Sequence, residues 1–229
     1  MRVFAFIIFL LLPAIYTNAQ QDLHIDSAIH TIQQIKNDTV RMDSLYHTAW
    51  RLRHSHPKEA LMIGKVLLQD VTEHGDMPRA VLANRLMAVC NYKIHDFDQS
   101  IKFYLEELRI QKELKQYDEQ IKTMHDMCII YDITKDVENE KKYVVEALQI
   151  CEQHKADKNV WLQRNYLLDN LATIYKKEGR LDTAVKVYRE VIALAKKNND
   201  TFQQVGSLTN MAIALKNNKN YTQSLAAYN

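Results

Sequence analysis

The chain is predicted to be all-α, a superhelical solenoid of helix–turn–helix repeats with a period of about 40 residues. Three observations predict this. The first is a recurring template. Leu171, Ala172, Tyr175, Gly179, Leu181, Ala184, Tyr188 and Ile192 return downstream as Met211, Ala212, Leu215, Lys219, Tyr221, Ser224 and Tyr228. Upstream the template meets Met127, Cys128, Tyr131, Lys135, Val137, Val144, Ala147 and Leu148, then Met87, Ala88, His95, Phe97, Ser100, Tyr104 and Leu108, and more weakly Thr48, Pro57, Ala60 and Leu68. The second is composition: 229 residues hold four Gly and three Pro, with 47% hydrophobic and 25% charged residues. The third is that the breaks between apolar-periodic stretches are short and polar, with no alternating strand pattern and no glycine-rich loop.

The elements follow in order. Arg2 is the only charged residue before Asp22, Val3 to Leu12 form an unbroken apolar run closed by Pro13, and Thr17-Asn18-Ala19 supplies short residues. Residues 1–19 therefore read as a secretory signal peptide cleaved after Ala19. The alternative is an uncleaved anchor, which asks for about 20 apolar residues where the stretch to Tyr16 offers about 14. The expected location is periplasmic, or on the extracytoplasmic side of the inner membrane. Residues 20–38 carry weak helical periodicity as an N-terminal helix or linker, and Asn37-Asp38-Thr39 reads as a break with a helix N-cap.

From 39 to 229 the array divides at about 41–80, 81–120, 121–164, 165–204 and 205–229. First helices are expected at 39–53, 77–93, 118–134, 159–178 and 201–217, and second helices at 57–74, 97–115, 137–155, 181–198 and from 221. Pro57 and Pro78 suit first helical turns, and Gly179 a left-handed helix end. Ala88, Cys128, Ala172 and Ala212 form one column of small residues, and Ala60, Ser100, Ala184 and Ser224 another, where paired helices approach closely. Glu140 breaks the second column, and Gly64 breaks the aromatic column of Tyr104, Tyr188 and Tyr228. Cys90, Cys128 and Cys151 are odd in number and unlike in position. Cys128 reads as a buried filler, and a Cys90–Cys128 bridge is the conceivable pairing. The last repeat stops at Asn229 inside its second helix, which reads as the N-terminal part of a longer protein with an apolar edge able to self-associate.

The segment Asn170-Leu171-Ala172-Thr173-Ile174-Tyr175, then Gly179-Arg180-Leu181-Asp182-Thr183-Ala184, then Tyr188, resembles the tetratricopeptide repeat. The resemblance covers about residues 41–229 and implies a right-handed superhelix. Asn37 to Arg41 and Trp50 to Ala60 are similar to the opening repeat of exported tetratricopeptide proteins of the Bacteroidetes. In many of those the array is an extracytoplasmic sensor followed by a transmembrane helix and a histidine kinase, DNA-binding regulator or cyclase, so the resemblance implies a membrane tie only through a downstream segment.

In a stacked hairpin array the first helices line the concave side. By helical spacing the candidate partner-binding residues are Arg85, Tyr92 and Lys93 in the second repeat and His125, Asp126 and Asp132 in the third. The fourth contributes Tyr166, Asp169, Asn170, Lys176 and Lys177, and the fifth Thr209, Asn210 and Lys216. The family resemblance singles out Asn170 and Asn210, since an Asn before the apolar–small pair often bonds a peptide backbone there. Asp126-Met127-Cys128 departs from that arrangement. Lysines and aspartates alternate along this face, so charge alone does not select a ligand.

The formal net charge of +2 and the dispersed Lys and Arg argue against nucleic acid as a partner of this segment. His54 and His56 flank Ser55 without a suitably spaced third ligand, and read as polar turn residues and not a metal site. No nucleophile-elbow, phosphate-loop, dinucleotide or kinase signature occurs, so no catalytic residue, metal or cofactor is expected. The expected function is recognition of a protein or peptide partner, and the alternative is the sensor half of a membrane-bound signalling protein.

Overall fold

The computed structural model describes residues 18–228. Residues 1–17 of the signal-peptide reading lie outside the described residues, as does the side chain of Tyr228. Among the described residues the chain is helical throughout, with α1 (Asn18–Gln33), α2 (Asp38–Leu52), α3 (Pro57–Glu73), α4 (Met77–Lys93), α5 (Phe97–Glu113), α6 (Tyr117–Thr134), α7 (Val137–Gln153), α8 (Lys158–Lys177), α9 (Leu181–Lys197), α10 (Thr201–Asn217) and α11 (Tyr221–Tyr228). Each helix from α2 onward packs against the next, and no strand interrupts the series. The all-α solenoid read from the repeat is the observed architecture.

The turns hold the hairpins at a fixed angle by using one residue twice. The backbone N–H of Asp76 donates to Val71 O (3.0 Å) and closes α3, while its carboxylate accepts from Arg79 N (3.0 Å) and opens α4. Asp96, Asp136 and Asp200 repeat the arrangement, closing on the carbonyls of Asn91, Tyr131 and Ala195 and capping Gln99, Asn139 and Gln203. The residue before each of these caps is left-handed, as is the residue before Gln116, Arg180 and Asn220. Gly75 and Gly179 fill that place at φ 64° and 75°, but His95, Lys115, Lys135, Asn199 and Lys219 fill it with side chains at φ 55–63°. A left-handed conformation costs a side-chain-bearing residue what it does not cost glycine. Lys135→Gly is therefore expected to raise stability by about 0.5–1 kcal/mol, read as a higher thermal midpoint.

The small columns sit where predicted. Ala88, Ala172, Ala184 and Ala212 are fully buried, and Cys128 is a buried free thiol, as are Cys90 and Cys151. The serines do more than save space: Ser100 Oγ donates to Ala88 O and Ser224 Oγ to Ala212 O, each at 2.8 Å, stapling second helix to first. Tyr104 and Tyr188 are buried, and Phe97 and Val137 pack against the central core cluster. Tyr221, which takes the template place of Phe97 and Leu181 at the start of the last second helix, is exposed. Gly64 admits α4, since a Cβ there would lie 2.7 Å from Met87 Sδ.

Two irregularities matter for the site. In the first repeat the small position is Ala49, fully buried, and not Thr48, which is half-buried. The α2–α3 turn holds four residues, Arg53 to His56, where the α4–α5 turn holds three, Ile94 to Asp96, so α2 is displaced by one residue against the template. The longer step between the third and fourth repeats goes largely into α8, which has 20 residues where α4 and α10 have 17. The added turn buries Val160, whose carbonyl faces Cys151 Sγ at 3.3 Å.

Candidate functional site

First helices line one side of the array, where α2 packs on α4, α6 on α8, and α8 on α10. Between α4 and α6 the direct packing is weakest, and Arg85 spans the gap. Its Nε donates to Glu107 Oε1 on α5 at 2.7 Å, and its Nη2 lies 3.2 Å from Thr123 Oγ1 and 3.3 Å from Glu119 Oε2 on α6. Glu107 is 0% exposed. Gln111 Nε2 (2.8 Å) and Thr123 Oγ1 (3.1 Å) also donate to Glu107 Oε1, while Oε2 has no hydrogen-bond partner among the described residues. Burial pushes the Glu107 carboxyl up to about 7, and Arg85 and Thr123 offset that only in part.

Over this gap lies a pocket of about 420 Å³. Arg85 reaches it from α4, Lys122, His125 and Asp126 from α6, and Gln163 and Tyr166 from α8. The buried Ile121 and Leu167 also line it. Three successive first helices thus bring together four of the sequence-predicted residues: Arg85, His125, Asp126 and Tyr166. Tyr166 is positioned by its hydroxyl, which donates to the α10 cap Asp200 at 2.7 Å.

The remaining candidates divide between open surface and internal ties. Lys177 Nζ sits 2.8 Å from Asp132 Oδ1 and 2.8 Å from both oxygens of Glu140, linking α8 to α6 and α7. That ion pair holds the Asp132 carboxyl below the usual carboxylate range. Asp169 accepts from Ser207 Oγ at 2.5 Å and from Asn210 Nδ2 at 3.5 Å on α10, and burial raises its pKa. Lys176 is half-buried, and burial lowers its pKa. Asn210 is thereby turned toward Asp169, whereas Asn170, half-buried, makes no side-chain hydrogen bond among the described residues. Tyr92 is half-buried with its ring 6.0 Å from that of Phe97, and the exposed Lys93 lies 5.6 Å over it. Thr209 bonds its own helix at Val205 O, and Lys216 is exposed.

Residues of α2 on the same side were not predicted. Tyr46 and Trp50 stack at 5.6 Å, with the Arg53 guanidinium 4.0 Å over the Trp50 ring. Tyr46 also feels the charges of Arg85 and Arg53, which offset part of the rise that burial gives its pKa. The one-residue displacement of α2 hid them, and the extra residue in the Arg53–His56 turn is the signal that reveals them. On α8 and α10, Leu162 and Phe202 occupy the register held by Asp118 on α6, and Phe202 is 88% exposed. An apolar residue in a polar register was the available sign.

Residues 167–201 match the tetratricopeptide repeat family model. Among curated proteins no sequence matches the chain. Solved structures that superpose include a kinesin light chain protein of Podosopora anserina with nearly identical tetratricopeptide-like repeats (14% identity, 84% of this chain, 93% of that one, TM-score 0.67). A signal transduction ATPase with numerous domains and a tetratricopeptide repeat sensor from Pyrococcus horikoshii also superposes (14%, 86% and 31%, TM-score 0.70). A third is a Rap protein complexed with competence and sporulation factor (15%, 92% and 69%, TM-score 0.53). At these identities the likeness shows the fold. The chain carries a tetratricopeptide repeat, and its helices build a tetratricopeptide-like array.

Proposed function

We propose that the array is a protein-interaction module whose side of first helices binds an extended segment of a partner protein or peptide. The observation that carries this is the pocket shared by α4, α6 and α8, where an open depression meets half-exposed Tyr166 and charged side chains above an apolar base. The Rap protein solved with competence and sporulation factor supports a binding role for arrays of this fold. Recognition, and not catalysis, is the reading for the candidate residues, since among the described residues none forms a nucleophile–base pair.

The leader-like sequence of residues 1–19 favours an exported module, outside the cytoplasm. The repeat sensor of the Pyrococcus horikoshii ATPase favours, as the second reading, a sensor array coupled to an output domain. Cell fractionation with a reporter fused after residue 229 tests the export: periplasmic reporter activity is expected, and activity confined to the cytoplasm contradicts it.

Groove binding is tested with peptides selected from a random library on the full chain. Tyr166→Ser removes an exposed ring without opening the core, so it is expected to weaken the selected peptides about tenfold in titration calorimetry while leaving the melting curve in place. Unchanged affinity would contradict the assignment.

A further inference from the structure

We propose that the pocket between α4, α6 and α8 receives a cationic side chain of the partner, a guanidinium or ammonium group, with Asp126 as its counter-ion and the Tyr166 ring as its wall. The inference rests on the groove reading above and adds the chemistry of what enters.

Charge around the pocket is satisfied at its cations and left over at one carboxylate. Both cations on the pocket are occupied. Arg85 pairs with Glu107 at 2.7 Å and Glu119 at 3.3 Å, and Lys122 pairs with Asp118 at 2.7 Å and Glu119 at 2.8 Å. An incoming carboxylate would have to draw one of them from partners it already holds, in a place where two cations meet the four carboxylates of Glu107, Asp118, Glu119 and Asp126. Asp126 is the member with no Lys or Arg within ion-pair distance among the described residues, the Arg85 charge acting on it from farther off. Its ion-pair neighbour is the adjacent imidazole of His125, at 3.8 Å, and its side chain is 38% exposed. Beneath Arg85, the second oxygen of Glu107 is buried and accepts no hydrogen bond.

A cation entering here therefore meets a carboxylate that stands outside any Lys or Arg ion pair, without breaking an existing pair. It also meets the Tyr166 ring, half-exposed and held by Asp200, and the face of an aromatic ring attracts a Lys or Arg head group. The volume of about 420 Å³ lies within the range of about 300–1,000 Å³ usual for ligand pockets. The buried Ile121 and Leu167 give the aliphatic stem of Lys or Arg an apolar surface to lie on.

The test uses the full chain and peptides selected on it from a random library. Each bound peptide is resynthesised with Arg replaced by citrulline, or Lys by norleucine, and titrated against the wild type and Asp126→Asn. The expected result is a recurrent Arg or Lys whose neutral replacement weakens binding at least tenfold on the wild type. That replacement should matter little on Asp126→Asn, which is itself at least tenfold weaker for the charged peptide. Asp126 is on the surface, so its variant should melt with the wild type, and Asp126→Glu should restore part of the affinity. Peptides that bind the groove with an acidic consensus, or that ignore Asp126→Asn, would overturn the inference and leave the groove reading standing. A selection that returns no groove-binding peptide would overturn both.

Discussion

Lys177→Ala is expected to destabilise the protein by about 2–3 kcal/mol, and Glu140→Ser in the same chain to recover most of that loss. Glu140 stands in the column that Ala60, Ser100, Ala184 and Ser224 keep small, and it is 7% exposed. A buried carboxylate without a cation pays most of its desolvation cost, and removing one partner of a buried pair costs about 3–5 kcal/mol. The lower figure applies because Lys177 keeps some contact with solvent, its side chain being 26% exposed. Serine at 140 would restore the motif of Ser100 and Ser224, which donate to the facing carbonyl at 2.8 Å. Chemical denaturation of the two single variants and the double variant checks this. A double variant as unstable as Lys177→Ala would contradict it. The result bears on function, because a loss of binding in Lys177→Ala would reflect the fold and not a lost partner contact.

The second large effect is a dependence of stability on pH set by Glu107, and its removal in Glu107→Gln. Burial lifts this carboxyl from its ordinary 4.5 to about 7. The groups that act on it are Arg85 from α4, Tyr46 from α2, Tyr104 from its own helix, and Thr123 and Asp126 from α6. With the folded value above the unfolded one, the native state holds the proton more tightly. Stability from this group is then full below about pH 4.5 and is lost as pH rises through about 7. The loss is on the order of 3 kcal/mol across that window. Glu107→Gln keeps the shape and the acceptor for Arg85 without titrating, so its stability should vary less between pH 5 and 8 and exceed the wild type at pH 8. Parallel pH profiles for the two proteins would contradict the assignment.

The repeat made the fold legible because each column answers a single physical demand. Ala172 and Ala212 must be small for helices to touch, and Asp96, Asp136 and Asp200 must cap. The helix boundaries followed from those demands to within one or two residues. The site was legible only where one residue meets one demand. Arg85, His125, Asp126 and Tyr166 share a pocket because helical spacing puts them on one side, which the sequence states directly. Lys177 carried the same spacing but is tied to Glu140 and Asp132, partners on other helices that spacing along one helix does not show. Glu140 itself was the clue, since a charge in a column of Ala and Ser requires a counter-charge. Tyr46, Trp50 and Arg53 escaped because one additional turn residue shifted α2, and a template slid by a fixed period does not follow such a shift. Glu107 escaped for a different reason: its burial depends on α4 and α6 parting, a property of three helices together.

Recognition of partners by the side of first helices is tested most directly by amide chemical shifts of the full chain titrated with a selected peptide. Perturbed resonances are expected on α4, α6 and α8, centred on Arg85, Asp126 and Tyr166 and extending to Trp50 on α2. Perturbations centred instead on the second helices, at the apolar trough between α3 and α5 that Leu68, Ile101 and Leu105 line, would contradict it.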